Sequence, residues 1–137
     1  MIALPVLRKQ IIPIQAPNDI VVVRQKVRAL TTELRFSLVD QTKMVTAASE
    51  LARNALEHGK GGQVQVELVE DDPRRGLRLT FEDQGPGIPN IDLALKDGYT
   101  TGNGLGLGLS GAKRLVNEFE IESAPGKGTR VTVARWR

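Results

Sequence analysis

Between Gln63 and Asp83 apolar side chains fall on every second residue, as Val64, Val66 and Leu68 in one run and Leu77, Leu79 and Phe81 in the next. A period of two places alternate side chains on opposite faces of an extended chain, so each run predicts a half-buried strand. Asp71 to Gly76, between them, is a cluster of turn residues, and the pair predicts an antiparallel hairpin ending at Asp83. One apolar face of such a hairpin has to be covered by a second layer.

The residues before the hairpin supply that layer. Ile20, Val23, Val27, Leu30 and Leu34 recur at helical spacing, and the spacing predicts a helix capped by Asn18 or Asp19. The valines at its start lower its intrinsic propensity, so packing must hold it. A second helix is predicted from Asp40 to about His58, with Val39 and Met44 placed as a hydrophobic staple and Gly59 as the stop. Met44, Ala48, Leu51 and Ala55 form its buried face, and Glu50 and Asn54 lie on the margin of that face. Val6 to Ile14 predicts an edge strand, since proline cannot donate to a ladder.

After the hairpin, Gln84 to Gly104 is rich in glycine and holds Pro86 and Pro89, which predicts a mobile lid with one short helix around Ile91 to Lys96. Leu105 to Glu118 predicts a helix, with Leu109, Ala112, Leu115 and Val116 on one face. Phe119 to Ser123 and Thr129 to Trp136 read as the last two strands around the turn Ala124 to Gly128. The whole chain of 137 residues is expected to form one domain, an α/β two-layer sandwich whose mixed, mainly antiparallel sheet carries helices on one face.

Composition narrows the function classes. With 40% hydrophobic residues the chain can bury a core, and the net charge of +3 comes from Lys and Arg scattered along it. Aromatic residues make up 4%, too few for the stacking platforms of single-strand binders, so nucleic acid is not expected as a partner. The chain has no cysteine, which excludes disulfides, thiolate metal sites and a catalytic thiol. Nothing near the ~20 apolar residues of a membrane span occurs. A soluble, cytoplasmic protein with no membrane partner is expected.

Three elements carry chemistry. Glu50-x-x-x-Asn54 puts a carboxylate and an amide one turn apart on a helix. Asp83-x-Gly85-x-Gly87 follows an apolar strand, so the Asp83 carboxylate is expected to be partly buried and to need a donor such as an exocyclic amine. Gly87, without a Cβ, is expected to let a flat ring approach the backbone. The run Gly102-Asn103-Gly104-Leu105-Gly106-Leu107-Gly108 can hold polyphosphate, because backbone N–H groups at a helix start form an anion site and glycine permits close approach. Gly106 to Gly111 also spells G-x-G-x-x-G, but no strand precedes it and too little chain follows for a dinucleotide-binding half. No P-loop motif is present.

In order, spacing and type these elements resemble the N, G1 and G2 boxes of the GHKL superfamily, with Gly128-Thr129 similar to its final glycine-threonine element. The match runs from about Val39 to the C-terminus. The strings Ser49-Glu50-Leu51-Ala52-Arg53-Asn54 and Glu82-Asp83-Gln84-Gly85-Pro86-Gly87-Ile88, the short lid and the opening Asp19-Ile20-Val21 resemble the stressosome switch kinases of the general-stress sigma-factor pathway. A sensor histidine kinase is not expected, since no phosphoacceptor-histidine helix pair is read upstream, and a gyrase-like motor is not expected, since no transducer domain is read after Arg137.

The resemblance implies a Bergerat fold and a serine/threonine protein kinase using ATP and Mg²⁺. It implies that Asp83 accepts from the adenine amino group beside Gly87 and Thr129, with Gly85 in the same box, and that Gly102, Gly104, Leu105, Gly106, Leu107 and Gly108 close over the phosphates. Asn54 would hold Mg²⁺, and Glu50 would act as general base toward a serine or threonine hydroxyl. The implied partners are STAS-domain scaffold or antagonist proteins and a PP2C-type phosphatase. The competing implication is an anti-sigma factor that grips a sigma subunit. Related anti-sigma kinases place a lid arginine by the γ-phosphate. Here Lys96 is the only cation between Ile88 and Leu105, and it is expected to substitute unless the partner does. Arg53 and Lys113 are expected to be ordinary solvated cations, and His58 a helix C-terminal residue.

Overall fold

In the computed structural model, which describes residues 4–96 and 108–137, the two alternating runs pair as the hairpin of β2 (Gly62–Asp71) and β3 (Arg74–Asp83). Val64 lies opposite Phe81, Val66 opposite Leu79 and Leu68 opposite Leu77, and all six are buried. The reversal is tighter than the sequence cluster suggested, because pairing continues out to Asp71 and Arg74. Opposite charges explain the extension: Arg74 bonds Asp71 at 2.7 Å, and Arg75 lies 3.6 Å from its cross-strand partner Glu70.

With β1 (Val6–Ile14), β4 (Glu118–Ser123) and β5 (Thr129–Trp136) the hairpin forms one five-stranded sheet in the order β1-β2-β3-β5-β4. Every neighbouring pair is antiparallel, and β1, which contains Pro13, is an edge strand as expected. The helices α1 (Pro17–Glu33) and α2 (Leu38–Glu57) form an antiparallel pair over one face. Val23 and Val27 from α1 and Met44, Ala48 and Leu51 from α2 meet Val64, Leu79 and Val133 of the sheet in one core.

Both helix starts differ from expectation. Helix α1 begins at Pro17, whose missing N–H costs nothing in a first turn, and Ala16 is its N-cap. Asp19 sits three residues in and reaches back, its Oδ2 accepting from the N–H groups of Gln15 at 2.8 Å and Ala16 at 3.0 Å. Helix α2 is capped by Ser37, whose Oγ accepts from the Asp40 N–H at 3.1 Å. Val39 forms no staple and is 63% exposed. The Asp40 carboxylate is engaged elsewhere: Arg135 of β5 donates to it at 2.6 Å and to the Leu115 carbonyl at 2.9 Å.

The short helix α3 (Ile91–Ala94) falls within its predicted span, capped by Asn90. The helix predicted over Leu105 to Glu118 is described as α4 (Gly108–Arg114), and residues 105–107 lie outside the described residues. Its end comes early because the Asn117 N–H already donates to the Ala134 carbonyl, and the Asn117 side chain accepts from the Trp136 N–H, so the chain has joined the sheet. Leu109 and Ala112 are buried as expected.

Candidate functional site

Asp83 ends β3 and Thr129 begins β5, directly opposite each other in the sheet. Where the C-terminal half of α2 passes over this pair, the layers enclose a cavity of about 320 Å³. Glu50 and Asn54 reach it from α2, Asp83 from β3, Gly87 from the following loop, Gly108 from the start of α4 and Thr129 from β5. Phe81, Ile88, Leu109 and Val131 make much of the remaining wall apolar. That volume suits a small organic molecule, and the combination of apolar walls with a few convergent polar groups is typical of a ligand pocket.

The Asp83 carboxylate is partly withdrawn from water, and that burial raises its pKa above the usual carboxylate value; hydrogen bonds from the backbone of Gly85 and Thr129 oppose the rise. Its Oδ1 accepts from the Gly85 N–H at 3.0 Å. A carboxylate has room for about four such bonds, so acceptor capacity remains for a ligand's N–H. Behind it, Gly59 at the end of α2 packs so closely that a Cβ would strike the Asp83 carboxyl carbon. A Cβ on Gly85 would come within 2.6 Å of the Gly59 Cα. Gly85 therefore does not line the cavity; it lets the loop close on α2 and supplies the N–H that steadies Asp83.

Gly87 lines the cavity with φ at 78°, where glycine is favoured. The reason for glycine differs from the sequence expectation. A Cβ there would run into the Ala124 carbonyl, so it is the protein's own β4–β5 turn that demands glycine. The same turn is tied to the loop by a bond from the Gly126 N–H to the Pro86 carbonyl at 2.7 Å. Ser123, which sequence reading passed over, completes the tie. Its Oγ accepts from the Ile88 N–H at 2.8 Å, donates to the Gly128 carbonyl at 2.9 Å and lies 2.8 Å from the Thr129 hydroxyl.

On α2, Glu50 is deeper than the margin position predicted, at 2% exposure. An isolated buried carboxylate is costly, and Arg53 answers it: the guanidinium donates to Glu50 Oε1 at 3.2 Å and lies 3.6 Å from Glu57 Oε2. The solvated role expected for Arg53 is thus wrong, and its spacing of three and four residues from two glutamates was the available signal. Asn54 is half-buried on the next turn. Lys96 is exposed and is not among the residues that line the cavity, whereas His58, the C-cap of α2, does line it. The predicted phosphate-closing residues Gly102, Gly104, Leu105, Gly106 and Leu107 lie outside the described residues.

Among the described residues no three His, Cys, Asp or Glu side chains cluster as a metal cage. A single amide oxygen such as that of Asn54 fits an ion that keeps several waters and takes its other oxygens from a bound ligand. No helix among the described residues is long and apolar enough to cross a membrane.

The family model described as histidine kinase-, DNA gyrase B- and HSP90-like ATPase matches residues 39–137. The serine/threonine-protein kinase RsbT of Bacillus subtilis is 47% identical over 118 residues, covering 86% of this chain and 89% of that relative. An anti-sigma F factor of Clostridium acetobutylicum is 34% identical over 120 residues, covering 82% of this chain and 81% of the relative. Among solved structures, the RsbU and RsbW domains of Rv1364c from Mycobacterium tuberculosis match at a TM-score of 0.66 and 26% identity, across 95% of this chain and 32% of that longer one.

Proposed function

The chain belongs to the family of histidine kinase-, DNA gyrase B- and HSP90-like ATPases, and from that premise we propose that it is a serine/threonine protein kinase transferring the γ-phosphate of ATP to STAS-domain partner proteins. One observation carries the reading: Glu50, Asn54 and Asp83, from two separate elements, line one cavity in a chain 47% identical to a serine/threonine kinase. In this proposal Asp83 accepts a hydrogen bond from the adenine amino group, and the apolar wall of Phe81, Ile88 and Val131 takes the ring. Asn54 would hold Mg²⁺ through its amide oxygen, an ion that neutralises phosphate charge. The glycine run from Gly102 to Gly108 would offer backbone N–H groups to the phosphates, as its sequence motif implies.

Glu50 then takes the proton of an incoming serine or threonine hydroxyl. The hydroxyl oxygen, freed of its proton, would bond to the γ-phosphorus while the bond to the β,γ-bridging oxygen breaks and ADP leaves. Acting in the cytoplasm, the kinase would leave its phosphorylated partner and activate a PP2C-type phosphatase.

Incubation with Mg-ATP and a purified STAS-domain protein, followed by mass spectrometry, should place phosphate on one serine or threonine. Glu50→Gln should keep ATP binding and lower transfer by about 10²- to 10⁴-fold, the range for a lost general base; retained transfer removes Glu50 from the mechanism. The anti-sigma F relatives support a second reading, ATP-dependent grip on a sigma subunit. Pull-downs against a sigma factor and a STAS protein separate the two.

A further inference from the structure

We infer that Arg53 is a positioning residue for the reaction at Glu50, fixing one carboxylate oxygen so that the other is presented to the acceptor hydroxyl. The inference rests on the kinase reading and extends it. The terminal torsion of a glutamate is broad and nearly two-fold, so a carboxylate in a cavity wall has no single aim unless one oxygen is held. The Glu50 side chain is 3% exposed, and its Oε1 receives the Arg53 guanidinium at 3.2 Å from one turn further along α2.

Arg53 also forms an ion pair with Glu57, whose Oε2 lies 3.6 Å from its Nε. Glu50, Arg53 and Glu57 thus form one line along α2, and all three border the cavity. A planar guanidinium can serve two carboxylates from fixed directions, whereas an ammonium acts as a point charge.

The test is steady-state phosphotransfer from Mg-ATP to a STAS-domain protein, alongside binding of a non-hydrolysable ATP analogue. Arg53→Met should lower kcat by about 10- to 100-fold, the scale of one lost hydrogen bond to a charged group, with KM for ATP and analogue affinity within about twofold. Arg53→Lys should recover part of the loss. Adding Arg53→Met to Glu50→Gln should change kcat little further, because the two act as a unit.

An unchanged kcat in Arg53→Met overturns the inference. So does a fall in ATP affinity larger than the fall in kcat, which would make Arg53 a phosphate ligand. If Arg53→Met fails to fold, Glu57→Gln, which loosens the guanidinium without removing it, should lower kcat severalfold at unchanged ATP affinity, and no effect overturns the inference equally. Failure of the underlying reading looks different: no transfer by the unaltered protein, or full transfer by Glu50→Gln.

Discussion

Asp83 is held in conflict by its surroundings, since burial disfavours its charge while two backbone N–H groups favour it, and burial dominates. A carboxyl group whose folded pKa lies above its unfolded value stabilises the fold below the unfolded pKa, and that contribution is lost as pH rises through the folded one. Above that folded pKa the ionised side chain therefore opposes folding until a ligand donates to it. Asp83→Asn should be at least as stable as the unaltered protein at pH 7 by thermal melting, and should lose its preference for ATP over other nucleotides; unchanged adenine preference would contradict the role of Asp83. That Glu50, Asn54 and Asp83 line one cavity was legible in the sequence, because motif spacing encodes which side chains share a face or end a strand, but the depth of Glu50 was not. The reasons for Gly87 and the placement of Gly85 were not legible, since they depend on Ala124 and Gly59, contacts that no local spacing records.

At the scale of elements, helix bodies were readable and helix ends were not. Ser37 and Asp40 are both good caps, and only Arg135, 95 residues away, shows why Asp40 is needed elsewhere. The hydrogen bond from Arg135 holds the Asp40 carboxyl below its ordinary pKa of 3.8. Here the sign reverses: the stabilisation is present above the unfolded pKa and is lost as pH falls through the folded one. Asp40→Asn should lower the melting temperature at pH 7, and the gap to the unaltered protein should narrow as pH falls below 3.8. The end of α1 offers a gain instead. Arg35, just past the C-cap, has φ at 62°, a left-handed conformation that costs a non-glycine residue about 1–2 kcal/mol. Arg35→Gly should raise stability by up to about 1 kcal/mol in urea unfolding, since glycine's greater unfolded entropy offsets part of that relief.

For the whole molecule, the switch between a period of two and a period near 3.6 made the two-layer architecture readable, but strand order was not. Nothing local places β5 between β3 and β4, and it is this placement that brings Thr129 beside Asp83. Trp136, the single tryptophan, lies at the other end of β5 with the Arg74 guanidinium 4.3 Å from its ring centre, so its fluorescence can report global unfolding without touching the cavity. Mg-ATP at a hundred times its Kd should raise the unfolding free energy by about 2.7 kcal/mol, measured as a shift in that transition; no shift would count against a nucleotide site. The hydroxyl of Ser123 has a wider reach than its size suggests, because one oxygen joins the loop after Asp83, the β4–β5 turn and the first residue of β5. Trimming it to alanine would release three pieces of the cavity's border at once while leaving the core beneath intact. Damage at this solitary atom would surface as poor grip on ligand in a protein that still melts much as before.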